Sequence, residues 1–87
     1  MKKYRHRADL NQNEICKQLR QMGISVEKGH DDILVGYRGV TYWFEIKQNE
    51  KSPLTPSEKE RKAEWRGQYS IVTSLDDILK EIKTTNE

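Results

Sequence analysis

A chain of 87 residues accommodates one domain, expected to span 1–87, and leaves no room for a second. With 33% hydrophobic and 34% charged residues it is polar for its size, so part of its apolar surface is expected to be buried in a homodimer. The net charge of +2 identifies no partner, the single cysteine forms no internal disulfide, and no apolar run approaches the ~20 residues that span a bilayer. No hydrophobic stretch follows Met1-Lys2-Lys3, so no secretory signal is expected and the reading is a cytoplasmic protein.

The distribution of charge says more than its sum. Lys2, Lys3, Arg5 and Arg7 precede the first acid, Asp9, with Tyr4 and His6 between them. A flexible basic arm over 1–9 suits a phosphate backbone, because neutralised phosphates release condensed counterions. A frayed, solubilising terminus is the competing reading.

The first helix is expected from about Asn11 to Met22. Asn11 is placed to cap it and Glu14 to complete a capping box. Ile15, Leu19 and Met22 give an apolar stripe, and Gly23 suits the left-handed residue that ends a helix. Three strand-like runs follow: Ile24 to Val26, Ile33 to Gly36 led by Asp31-Asp32, and Val40 to Lys47. The short Tyr37-Arg38-Gly39 connection makes the last two an antiparallel hairpin. Thr55-Pro56-Ser57-Glu58 is a complete helix start, with an N-cap hydroxyl, proline at the first position and a capping-box glutamate. That helix should reach about Trp65 and stop near Gly67. Tyr69 to Val72 reads as a fourth strand, and Ser74 caps a last helix from Leu75 to about Lys83, with Asp76 and Asp77 opposing its dipole. The predicted order is α-β-β-β-α-β-α, a small mixed sheet flanked by helices.

Alternation along the third strand puts Val40, Tyr42, Phe44 and Ile46 on a core face, with Thr41, Trp43, Glu45 and Lys47 on the other. Glu45 and Lys47 are then roughly 7 Å apart on one face. Counting back from the hairpin turn brings Asp32 opposite Glu45, so two carboxylates and a lysine converge. Such a group suits Mg²⁺ or Mn²⁺, which takes carboxylate and phosphate oxygens and acidifies water. Lys47 fits a positioning and electrostatic role better than that of a neutral base. Glu-X-Lys is otherwise an ordinary solvated strand face, and Asp31-Asp32 an ordinary turn signal.

The run Asp32-Ile33-Leu34-Val35-Gly36, the turn Tyr37-Arg38-Gly39 and Thr41-Tyr42-Trp43-Phe44-Glu45-Ile46-Lys47 resemble the PD-(D/E)XK nuclease superfamily. Within it they are similar to small phage proteins of the VRR-NUC and Holliday-junction-resolvase-like branch. The similarity starts at Arg7-Ala8-Asp9-Leu10-Asn11-Gln12 and runs through Leu54-Thr55-Pro56 and Trp65-Arg66-Gly67 to the end. It implies a restriction-endonuclease-like core. It also implies Asp32 and Glu45 as catalytic metal ligands, joined by the main-chain carbonyl of Ile46, and Lys47 as the catalytic lysine. Glu14 takes the place of a first-helix acid that approaches the metal, a reading that stands beside its capping-box role. Asp31, preceded by His30, stands where the family has proline. The acid offers another ligand or a solvated group; for His30 a surface position is favoured over a phosphate contact.

The resemblance thus implies a divalent-metal-dependent endonuclease that hydrolyses DNA phosphodiesters, structure-selective for branched DNA such as a Holliday junction. Its partners would be branched or duplex DNA, a second copy of the chain, and phage or host replication and recombination proteins. A DNA-binding module without cleavage, or a nuclease active only with a partner protein, is the alternative. Trp43 reads as packing against a helix or as a cover for the site, and Trp65 as core or dimer interface. Lys59, Arg61, Lys62 and Arg66 alternate with Glu58, Glu60 and Glu64, so a solvated face laced with ion pairs is expected before a phosphate-binding one. Cys16 reads as a small packing residue.

Overall fold

A computed structural model describes residues 7–85. The elements follow the expected order: α1 (Arg7–Gln21), β1 (Ser25–Lys28), β2 (Asp32–Tyr37), β3 (Val40–Ile46), α2 (Pro56–Glu64), β4 (Ser70–Val72) and α3 (Leu75–Thr85). The four strands form one mixed sheet in the order β1-β2-β3-β4, with the first two pairings antiparallel and β3–β4 parallel. A parallel pair needs a crossover, and α2 supplies it.

Helix α1 starts four residues before the expected point, so residues 7–9 of the expected flexible arm are helical. Arg7 opens the helix, and Lys2, Lys3 and Arg5 lie outside the described residues. Asn11 and Glu14 are therefore interior positions; Asn11 donates instead to the Thr73 carbonyl at 3.2 Å. The C-terminus of α1 is a Schellman motif: Gly23 sits at φ 80°, its amide donates to Arg20 O, and the Ile24 amide donates to Leu19 O. Met22, expected in the apolar stripe, falls in this turn and is 51% exposed.

The β2–β3 hairpin turns on Arg38 and Gly39 alone, both at positive φ, between the paired Tyr37 and Val40. Such a two-residue turn matches the twist of the flanking strands. Val40 lies at this open end and is exposed, so the core face of β3 begins only at Tyr42. Tyr42, Phe44 and Ile46 join Val26, Ile33, Val35 and Val72 on one face of the sheet, against Ile15, Cys16 and Leu19 of α1 and Ile78 and Ile82 of α3. The other face carries Asp32, Trp43 and Glu45, which alternate with those core residues, and α2 lies against its β3 end. No helix among the described residues is long and apolar enough to cross a membrane.

Candidate metal centre

The hairpin register sets Asp32 directly opposite Glu45. The two-residue turn fixes that pairing, since a slip of one residue would send every side chain to the wrong face. Glu45 nevertheless lies far deeper than a strand-face acid in solvent: it is 1% exposed. Its Oε1 accepts from the Tyr69 hydroxyl at 3.0 Å and lies 3.6 Å from Arg61 Nη1. Its Oε2 is buried and receives no donor, so it is relieved only by a proton shared with the neighbouring Glu58 carboxylate or by a cation. A buried carboxylate oxygen without a donor is costly, and one that can meet a cation is relieved of that cost.

The second buried acid is Glu58, on the first turn of α2. Its capping box forms as the sequence indicates: Glu58 N donates to Thr55 Oγ1 at 3.2 Å, and Thr55 N donates back to Glu58 Oε1 at 2.8 Å. The same Oε1 accepts from Lys47 Nζ at 2.6 Å, a pair with side-chain exposures of only 12% and 7%. Lys47 therefore serves Glu58, across the crossover, rather than Asp32 or Glu45 directly.

Carboxylate oxygens of Asp31, Glu45 and Glu58 come within 4.8 Å of one another. The group thus contains Asp31, where the resemblance implies Asp32. Asp32 lines the same cleft of about 340 Å³, with His30, Asp31, Glu45, Thr55, Ser57, Glu58 and Arg61. Its Oδ2 accepts from Trp43 Nε1 at 2.7 Å. A Cβ at Gly29 would overlap its Oδ1, so a larger residue there would have to displace the carboxylate. His30 is 94% exposed and pairs with Asp31 through Nδ1 at 3.2 Å. Ile46 lines an adjoining cleft with Asp31 and Lys47, and its amide donates to the Asp31 carbonyl at 3.0 Å.

Glu14 is exposed, bonds Gln18, and belongs to neither the carboxylate group nor the cleft. Gln12 is the α1 residue that reaches this region. It is 3% exposed and donates to the carbonyls of Gly29 and Asp32 at 3.3 and 3.1 Å. Two residues apart on a helix, Gln12 and Glu14 face nearly opposite ways, so one excludes the other.

The charges divide unequally. Burial, followed by the neighbouring Glu58 carboxylate, pushes Glu45 up to about 8. Burial would raise Glu58 too, but Lys47 and the Thr55 amide outweigh it and hold the group down to about 2. Near neutral pH the pair shares one proton, favoured on the more deeply buried Glu45. Tyr69 is pushed up to about 12 by burial first, so its hydroxyl stays a donor to Glu45.

Arg61, expected on a solvated face, lies over Trp43 at 4.6 Å and over Tyr69 at 5.6 Å. The sequence offers Glu58 only as a cap and Arg61 only within an alternative phosphate-binding face. The capping box fully accounts for Glu58, and the alternating charges of α2 account for Arg61. The available signal was their spacing of three, which puts both on one side of α2.

Fold and site together define a small mixed α/β domain with a three-carboxylate group, buried at Glu45 and Glu58 and part-exposed at Asp31, beside one lysine and one arginine. No family model, no curated protein and no solved structure matches the chain.

Proposed function

We propose that the chain is a divalent-metal-dependent DNA endonuclease with a restriction-endonuclease-like core, of the PD-(D/E)XK type its hairpin resembles. The observation that carries this reading is the convergence of Asp31, Glu45 and Glu58 within 4.8 Å, with the buried Glu45 Oε2 receiving no donor. Hard oxygen donors in that number suit Mg²⁺ or Mn²⁺. Asp31, Glu45 and Glu58 would hold the ion, with Asp32 and the Ile46 carbonyl adjoining. When bound, the ion acidifies water and neutralises charge on the phosphate.

The chain's own groups do the rest. Lys47 keeps Glu58 ionised and fixed, which makes it a positioning group here. Glu45 would give up its proton for a cation to be held there. Arg61, about one-third exposed at the cleft and 3.6 Å from Glu45, is placed to hold a phosphate oxygen. Asp32, pinned between Trp43 and Gly29, fixes the wall of the cleft. Branched DNA is the proposed substrate, because two copies about a two-fold axis present one site to each of two strands.

The test is cleavage of a labelled four-way junction, flap, single strand and linear duplex with Mg²⁺ or Mn²⁺. Wild type should cut the branched forms preferentially, and Glu45→Gln and chelator should each abolish cutting. Cutting that survives both would overturn the assignment.

A further inference from the structure

Beside the acidic cleft, the aromatic side chains form a path to the surface that the hydrolytic groups do not use. Trp43 donates its indole N–H to Asp32, which fixes that ring at the edge of the cleft. Trp65 meets Trp43 edge to face, with centroids 4.9 Å apart and planes at 86°. Trp65 just follows α2, where the Trp65 amide donates to Arg61 O and the backbone turns to an extended conformation. Its indole nitrogen also lies against Gly67, where a Cβ would come within 3.0 Å of it. The ring is thus held by Trp43 on one side and limited by backbone on another, yet it is 52% exposed.

An ordered tryptophan costs little entropy to use and presents a π-face that any base can stack on. Lys62 and Arg66 flank it in sequence and are exposed, and Arg61 stacks on the other aromatic rings of the cluster. Exposed Glu64 lies between Lys62 and Arg66, so the surround is net positive rather than uniformly so, and with one exposed, braced indole it suits a polyanion carrying unpaired bases. Bases in an intact duplex are stacked on each other and have no face to offer.

We propose that Trp65 is a stacking platform for an unpaired base of single-stranded DNA, next to the acidic cleft. This rests on the nuclease reading for the identity of the ligand, and among branched forms it would favour those with an unpaired strand, such as a flap, over a fully paired junction. The base lies on Trp65, and Lys62 and Arg66 meet the neighbouring phosphates.

The test is fluorescence anisotropy with a labelled single-stranded oligonucleotide and a blunt duplex of the same sequence, in chelator, so that binding is read without cutting. Trp65→Leu, which keeps apolar bulk against Trp43, should weaken single-strand binding about 5- to 150-fold while leaving duplex binding within about twofold. Trp65→Tyr, which keeps a π-face, should restore most of the loss. Equal losses on both DNAs, an unchanged single-strand affinity in Trp65→Leu, or no binding of either DNA by wild type would each overturn the proposal. Cleavage by wild type and Glu45→Gln is scored separately. Failure of the nuclease reading therefore shows as absent cutting, and failure of the platform as lost single-strand selectivity.

Discussion

At Glu45 a single carboxylate ties stability to pH. Its folded value of about 8 stands above the ordinary 4.5, so between these limits the folded chain holds a proton that the unfolded chain has lost. Stability of the metal-free protein therefore falls as pH rises from about 4.5 to 8. Glu58 acts in the opposite sense: held near 2, it contributes stability above about 4.5 that is lost as pH falls toward 2. Urea unfolding in chelator should show the wild type weakening between pH 5 and 8.5 and Glu45→Gln staying nearly flat. Parallel slopes for the two proteins would refute the account. A cation that displaces this proton should bind about tenfold more tightly for each unit the pH rises toward 8, as one-proton competition requires. The opposition of Asp32 and Glu45 was legible from the hairpin, because register follows from the turn. The approach of Glu58 was not, and that of Asp31 was legible only as one of two alternatives, since both depend on how a loop and a helix fold back over the sheet.

The elements were legible where their ends carry distinct chemistry. Thr55-Pro56-Ser57-Glu58 starts α2 at the expected residue, and Gly23 ends α1 as its lack of a side chain permits. The start of α1 was misplaced because Asn11 and Glu14 mimic a capping box while helix-compatible residues extend back to Arg7. The cap on α2 has a further consequence: it orients Glu58 for both Lys47 and the cleft. Thr55→Ala should cost about 1 kcal/mol through loss of the cap alone. It should also loosen cation binding, because the second hydrogen bond that fixes Glu58 depends on the same turn. Denaturation midpoints and Mn²⁺ titration measure the two effects separately, and a stability loss with unchanged Mn²⁺ affinity would show that the cap does not position the ligand. Removing Lys47 is harsher. Lys47→Ala leaves Glu58 buried without its cation, and a loss of about 3 kcal/mol is expected, read from urea midpoints at pH 7.

Across the whole molecule, one face of the sheet makes the core and the opposite face makes the site. Tyr42, Phe44 and Ile46 are each at most 1% exposed on one side of β3, while Trp43 and Glu45 project from the other. The period of two in this strand is what made that division legible in the sequence. The crossover through α2 was legible as a helix between two strands, but not the side of the sheet it covers, because α2 buries only Glu58 and shows no apolar stripe. Core and site consequently respond to different substitutions. Phe44→Ala should cost about 3–5 kcal/mol and leave a chain of this size close to unfolded. Substitutions confined to the cleft should leave the fold intact, which makes binding the cleaner readout of the site.

The most direct measurement is calorimetric titration of Mn²⁺ into the metal-free protein at pH 7.5, with Glu45→Gln, Glu58→Gln and Glu14→Gln alongside wild type. The account predicts one ion per chain, weakened at least tenfold in Glu45→Gln and Glu58→Gln and unchanged in Glu14→Gln. Absence of binding by wild type, or equal affinity in all four proteins, would contradict the metal centre and with it the proposed chemistry.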